Sequence, residues 1–376
     1  MNKKIKLGCL YPSIVITLAL IIFGAYIYYE IKGTDAKVIK NYTIINKEIT
    51  KAITEQVIDM RPNSQISIGI YDNGKTEFYG LIRVGDTLKG IENADSIFGI
   101  GSISKTFTVT IFSQMVAEKK VQLNEDLASI LKIQLANNIK INLKQLANHT
   151  SGLPRIAKDD NMDDMYQPYI KYDEKWMRNY LQKDVTLEHE QNKDANYSNL
   201  GMGLLGYALA IKNNSSYATL FDEQIAKKYN LKNTTADYQK IKNKLAKCYN
   251  IEGNIGEVWQ FKDPTIAAGG VFSSSRDMIE WAKIQMDTTN KAIQFTHIPT
   301  ANFDKIGKIG LGWLILKLKN KDFLFHNGKI GVDGGYSSTM FINKKEKKGI
   351  VVLTNVSDIT KIRFLDKVGK AIAEKL

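Results

Sequence analysis

Strand-like segments cluster at the two ends of this chain and helical ones fill its middle, and that segregation constrains the fold more than any other feature. Near the N-terminal end, Gln65 to Tyr71 and Glu77 to Val84 are β-rich runs joined by Asp72-Asn73-Gly74. Asn-Gly is the pair a two-residue hairpin turn demands, because both positions need positive φ. Near the C-terminal end, Tyr336 to Ile342 and Gly349 to Thr354 flank a charged turn at Asn343 to Lys348, and an amphipathic helical tail runs from Ile359 to Leu376. From about Val121 to Asn290 the pattern is helix and loop, including Leu143 to Asn148, Asp173 to Gln182, Leu200 to Ile211 and Asp277 to Met286. The expectation is an α/β fold of the α+β kind. An antiparallel sheet is built from both chain ends and flanked by helices, with a mainly helical subdomain over about residues 121–290 inserted between them.

The N-terminus carries a different signal. Lys3, Lys4 and Lys6 precede an apolar run from Leu7 to Tyr29, broken only by Pro12, Ser13 and Thr17. About 20 apolar residues suffice to cross a bilayer, and the basic flank faces the cytoplasm. An uncleaved transmembrane signal anchor is the reading, with a cleaved signal peptide as its competitor. Cys9 lies near the start of the run rather than at its end, against a lipoprotein signal. The chain then divides into 1–32, a cytoplasmic basic tip and anchor; 33–62, a juxtamembrane amphipathic helix carrying Ile44, Ile45, Ile49, Ile53, Val57 and Ile58; and 63–376, an extracytoplasmic domain. Two cysteines, Cys9 and Cys248, are too few for a disulfide framework or a zinc cluster.

The net charge of +13, from 52 Lys and Arg against 39 Asp and Glu, raises the question of a nucleic-acid partner. Residues through Lys40 contribute +4 of it, and membrane orientation explains the first three lysines. The remaining lysines are scattered, with no aromatic-basic stripe, so no nucleic acid is expected. Outside a membrane, such a surface suits anionic lipid or wall polymers. No His-Glu-x-x-His pattern or phosphate loop occurs, and Asp159-Asp160 with Asp163-Asp164 reads as a solvated acidic loop.

The chemistry-bearing candidates are three short patterns in order. Ser102-Ile103-Ser104-Lys105 opens an apolar helical run (Phe107, Val109, Ile111, Phe112, Met115) directly after a strand at Ile97 to Ile100. Residues three apart share a helix face, so the Lys105 amine reaches the Ser102 hydroxyl. A second Ser-x-x-Lys, Ser129 to Lys132, lacks the preceding strand. Tyr197-Ser198-Asn199 lies 95 residues after Ser102, before another apolar helix, and His326-Asn327-Gly328 lies 129 residues after Tyr197, where a strand-like run from Phe323 ends.

These patterns resemble the serine β-lactamase and penicillin-binding protein superfamily, in the branch of class C β-lactamases, the Streptomyces-type D-Ala-D-Ala carboxypeptidase, D-aminopeptidases and esterases. His149-Thr150-Ser151-Gly152-Leu153-Pro154, Ala268-Gly269-Gly270 to Ser274 and Gly335-Tyr336-Ser337-Ser338 extend the resemblance over about Ser64 to Asn355. It implies a β-lactamase/transpeptidase-like fold and a catalytic set of Ser102, Lys105 and Tyr197, with Lys105 or Tyr197 as the base. The Lys105 ammonium would lower the Tyr197 pKa toward a phenolate. Asn199, His326, Gly328 and Lys329 would bind substrate, and the Ser102 N–H plus one near Gly335 to Ser337 would form the oxyanion hole. His149 reads as a turn organiser. No cofactor or metal is implied.

The third motif departs from the class C pattern, which has lysine where His326 stands. Histidine has no permanent charge, so D-alanyl peptide or ester bonds of the cell wall rank ahead of β-lactams as substrates. Lys329 supplies a cation or is a solvated loop lysine. The alternatives are a β-lactamase hydrolysing antibiotics and a non-catalytic penicillin- or wall-binding protein.

Overall fold

The computed structural model describes residues 37–38, 51, 53, 60, 62–85, 87–157, 167–250, 253–303, 307–332, 334–357 and 364–375. The strands are β1 (Lys37–Val38), β2 (Gln65–Asp72), β3 (Lys75–Val84), β4 (Thr87–Gly90), β5 (Phe98–Gly99), β6 (Phe272–Ser273), β7 (Ala301–Phe303), β8 (Gly307–Ile309), β9 (Leu314–Leu318), β10 (Lys321–Ile330), β11 (Tyr336–Asn343) and β12 (Lys348–Thr354). Ten of them form one sheet in the order β1-β4-β3-β2-β12-β11-β10-β9-β8-β7, and β5 pairs with β6 in a second. Every pairing in the large sheet is antiparallel except β1 with β4. The chain ends meet at β2 and β12, with Gly69 opposite Val351. The Asn73-Gly74 turn has both φ values positive, 44° and 104°, as a right-twisted hairpin requires.

The principal helices are α1 (Ser104–Ala117), α2 (Leu143–Ala147), α3 (Glu174–Lys183), α4 (Asn199–Lys212), α5 (Asp263–Gly269), α6 (Ser275–Met286) and α7 (Phe364–Ala373). Helices α1 to α5 lie between β5 and β6 in sequence; α2 to α6 fall within residues 121–290, and α1 precedes that segment. Strand alternation sorts the two faces of the sheet. Ile66, Ile68, Ile70, Ile350 and Val352 face a core shared with Val368 and Ile372 of α7. On the opposite face Val351, Leu353, Met340 and Ile342 join Ile279 and Trp281 of α6 and Phe107 of α1 in the larger core. A Cβ at Gly69 would sit 2.5 Å from Ile279 Cγ1, which lets α6 pack directly on the sheet.

Helix α1 is buried from Ser104 to Met115, so apolar residues surround it rather than form one stripe. Its Phe107 stacks on Trp281 at 4.1 Å, and the Trp281 Nε1–H donates to Thr106 Oγ1. Of the expected juxtamembrane helix, Lys51 and Ile53 are described and helical, and Ile53 is buried in the α7-side core. Among the described residues no helix is long and apolar enough to cross a membrane. The Leu7 to Tyr29 run and the acidic segment at Asp159 to Asp164 lie outside them.

Candidate active site

Ser102 occupies a short 3₁₀ turn, Gly101–Ile103, between β5 and α1. It precedes the α-helix rather than opening it, yet the three-residue spacing still points the Lys105 amine back to it. Lys105 Nζ donates to Ser102 Oγ at 3.1 Å and to the Ala268 carbonyl of α5 at 2.5 Å. The turn crosses β10 at the closest possible approach. A Cβ at Gly328 would lie 2.0 Å from the Ile100 carbonyl and 2.7 Å from the Ser102 nitrogen, and one at Gly101 would lie 2.4 Å from the Lys329 nitrogen. Gly101 also has φ of +52°. Both glycines are therefore steric requirements of the crossing. Ser338 Oγ donates to the Ile100 carbonyl from β11 and locks the turn to the sheet.

Tyr197 enters from the segment before α4. Ser198 caps that helix, its Oγ accepting the Gly201 N–H at 2.8 Å while donating to the Pro154 carbonyl at 2.6 Å. The Tyr197 ring has Lys105 Nζ 4.8 Å from its centroid, the His149 ring at 4.8 Å and the His326 ring at 6.4 Å. Asn199 Nδ2 donates to the Tyr169 hydroxyl at 2.9 Å, and its buried Oδ1 has no protein partner. Tyr169 in turn stacks on Phe261 and meets Trp259 edge-on, forming an aromatic wall. Trp281 and Trp313 are core residues instead.

Burial sets the protonation states. Lys105 is fully buried, and desolvation, helped by the Arg155 charge, holds its amine well below the ordinary lysine range. Burial pushes the Tyr197 phenol up, outweighing the opposing hydrogen bond with Ser102 and the Arg155 charge. The expected phenolate is thus corrected: with Lys105 driven toward its neutral form, no adjacent ammonium overcomes the desolvation of Tyr197. His326 is pushed down to about 3, chiefly by burial. Its Nδ1–H donates to the Asn327 carbonyl at 2.7 Å, which leaves Nε2 as the acceptor.

Residues 324, 326, 328 and 330 of β10 face the helical side of the sheet, with Leu324 and Ile330 in the larger core. Phe323 and Phe325 face α7, and Asn327 Nδ2 follows them, donating to Asp366 of α7 at 2.7 Å. Lys329 shares that parity, so its side chain leaves on the face away from Ser102 while its main chain abuts Gly101. Gly335 lies at the β10–β11 turn, and Ser337 pairs with Lys329 one strand farther from Ser102. The Lys329 nitrogen lies against the Gly101 position, nearer the serine turn in sequence register than the Gly335 to Ser337 segment.

Arg155 went unremarked in the sequence and belongs to this cluster. Its guanidinium carbon lies 5.0 Å from the Tyr197 ring centroid. The only sequence signal for it is its place directly after the His149 to Pro154 segment. Among the described residues no group of His, Cys, Asp and Glu is arranged to hold a metal ion.

Comparison with known proteins shows the family and the fold. The chain is 26% identical over 321 residues to the D-alanyl-D-alanine-carboxypeptidase/endopeptidase AmpH of Escherichia coli strain K12, covering 79% of this chain and 80% of that one. It is 27% identical to a beta-lactamase of Providencia stuartii, over 65% of each chain. Its fold matches a crystal structure of a class C beta lactamase from Rhodobacter sphaeroides with a TM-score of 0.72 at 20% identity, covering 88% of this chain and 99% of that one. A beta-lactamase/D-alanine carboxypeptidase from Pseudomonas syringae gives the same TM-score at 18% identity, over 88% of this chain and 98% of that one. The Beta-lactamase family model matches residues 54–373. The chain belongs to the beta-lactamase family of serine hydrolases.

Proposed function

We propose that this chain is a membrane-anchored, extracytoplasmic serine hydrolase that cleaves D-alanyl peptide or ester bonds of the cell wall through an acyl-enzyme on Ser102. The observation that carries the reading is the Ser102–Lys105 hydrogen bond made by a fully buried amine. A neutral amine has a lone pair for the Ser102 proton and takes it as the oxygen bonds to the carbonyl carbon, so no free alkoxide forms. Tyr197, kept as a phenol by burial, gives its proton to the departing amine or alcohol and regains one from the Lys105 ammonium. The carbonyl oxygen turns toward the Ser102 and Lys329 N–H groups, whose dipoles offset the developing charge. Asn199 Oδ1, buried and without a protein partner, is an acceptor for a substrate N–H. Water then releases the acyl group by the reverse proton path.

A neutral histidine at the third motif favours peptide or ester substrates over β-lactams. Incubating the ectodomain with a D-Ala-D-Ala peptide, a D-alanyl ester and nitrocefin side by side tests this, with products read by mass spectrometry. Turnover of the peptide or ester ahead of nitrocefin is expected. Turnover of nitrocefin alone makes the chain a β-lactamase, and acylation without product makes it a penicillin- or wall-binding protein. The anchor is tested by fractionation: full-length chain in the membrane pellet and the 63–376 segment outside it.

A further inference from the structure

A substrate ending in a carboxylate needs a cation in the cleft, and the expected sources are absent from it. His326 is buried, with its Nδ1–H bonded to a carbonyl, and the Lys329 side chain leaves on the opposite face of β10. Lys105 is enclosed and directed at Ser102 and Ala268. Arg155 is different: it is exposed, and its guanidinium lies over the Tyr197 ring. The loop that carries it is pinned in place. The Arg155 carbonyl accepts the Asn199 and Leu200 N–H groups at 2.8 and 3.2 Å, so its backbone caps the helix that bears Asn199. Among the described residues no ion pair involves its side chain. A guanidinium lying over a ring keeps its N–H edge available, and that edge matches two carboxylate oxygens.

We infer that Arg155 is the carboxylate anchor of the cleft, binding the α-carboxylate of the leaving residue and so selecting substrates with a free C-terminus. The inference rests on the reading of Ser102 as the acylated nucleophile and of Tyr197 as proton donor to the leaving group. In an α-amino acid leaving group, the carboxylate is only two bonds from the nitrogen that takes the proton. A cation 5.0 Å over the ring of the proton donor is within side-chain reach of that carboxylate. The same holds for the carboxylate next to the lactam nitrogen of a penicillin, and for the oxygen of a D-hydroxy-acid ester.

The test measures second-order acylation rates for two matched pairs: an acyl-D-Ala-D-Ala peptide with its C-terminal amide, and benzylpenicillin with its methyl ester. The wild type is expected to favour the free carboxylate by about ten- to a hundredfold, the range of a charged hydrogen bond. Arg155→Gln should bring that ratio to near unity and Arg155→Lys should restore part of it. The readout is the ratio because the guanidinium also acts on Lys105 and Tyr197, which shifts both members of a pair together. An unchanged ratio in Arg155→Gln overturns the inference, as does a wild type that shows no preference. A wild type that takes a fluorophosphonate on Ser102 but reacts with neither pair also overturns it. Failure of the fluorophosphonate to label Ser102 instead removes the reading beneath it.

Discussion

His149 holds the main chain on both sides of Tyr197: its carbonyl accepts the Asn196 N–H at 2.8 Å and its Nδ1 accepts the Ser198 N–H at 3.2 Å. The residue has a left-handed conformation, φ of +61°. Burial, chiefly, holds the ring well below the ordinary histidine range, so it stays neutral with Nδ1 as acceptor. The turn-organising role expected of this residue thus has a specific object, the position of the Tyr197 ring.

Replacing His149 by Ala removes the acceptor and frees Tyr197 to shift. A displacement of about 1 Å lowers kcat about 100-fold, with KM little affected. His149→Asn tolerates positive φ and places an oxygen near the Nδ1 position, so it should recover most of the rate. Steady-state kinetics of the two variants decide it; equal loss in both contradicts a positioning role.

Gly328→Ala introduces a methyl group that meets Ile100 and Ser102. Fluorophosphonate labelling should fall at least tenfold, because the clash moves the nucleophile. Labelling at the wild-type rate means the crossing of the Ser102 turn and β10 is looser than described.

The pH dependence follows from the Lys105 environment. The neutral amine is the active form, so acylation falls as pH drops through its depressed pKa. His326, at about 3, stays neutral across pH 5 to 8, and His326→Gln should leave the acid limb where it is. The Arg155 charge lowers Lys105, so Arg155→Gln should move the limb to higher pH. A limb that vanishes in His326→Gln assigns the titration to the histidine.

His297 links pH to stability away from the cleft. Its Nε2–H donates to Gln285 Oε1 at 3.0 Å and its Nδ1 accepts from Lys344 at 3.2 Å, while burial pushes it down to about 3. The unfolded state binds a proton below about 6.5 and the folded state does not, so stability is full above that pH and declines as pH falls toward 3. Between pH 7.5 and 5 this one residue costs about 2 kcal/mol. Urea midpoints should show that slope reduced in His297→Gln, and an identical slope places the titration elsewhere.

The sequence carried the parts of this account that depend on local chemistry. Asn73-Gly74 can make only a narrow set of turns, and the apolar runs around α1 and α4 identify buried helices. Relations that depend on register were harder to read. The face taken by Lys329 follows from parity with His326, but only once β10 is known to continue through Gly328 instead of ending at the motif. Arg155 has no periodic or compositional signal, since a loop alone brings it over Tyr197. The protonation states of Lys105 and Tyr197 depend on how deeply the fold buries them, which no spacing records.

The central claim is that Ser102 is the nucleophile, and covalent adduct mapping tests it most directly. The ectodomain and its Ser102→Ala variant are treated with a fluorophosphonate probe and with benzylpenicillin, and the adducts are located by mass spectrometry of peptides. A single adduct on Ser102 in the wild type and none in the variant is the expected result; equal labelling of both proteins, or an adduct on another residue, contradicts the account.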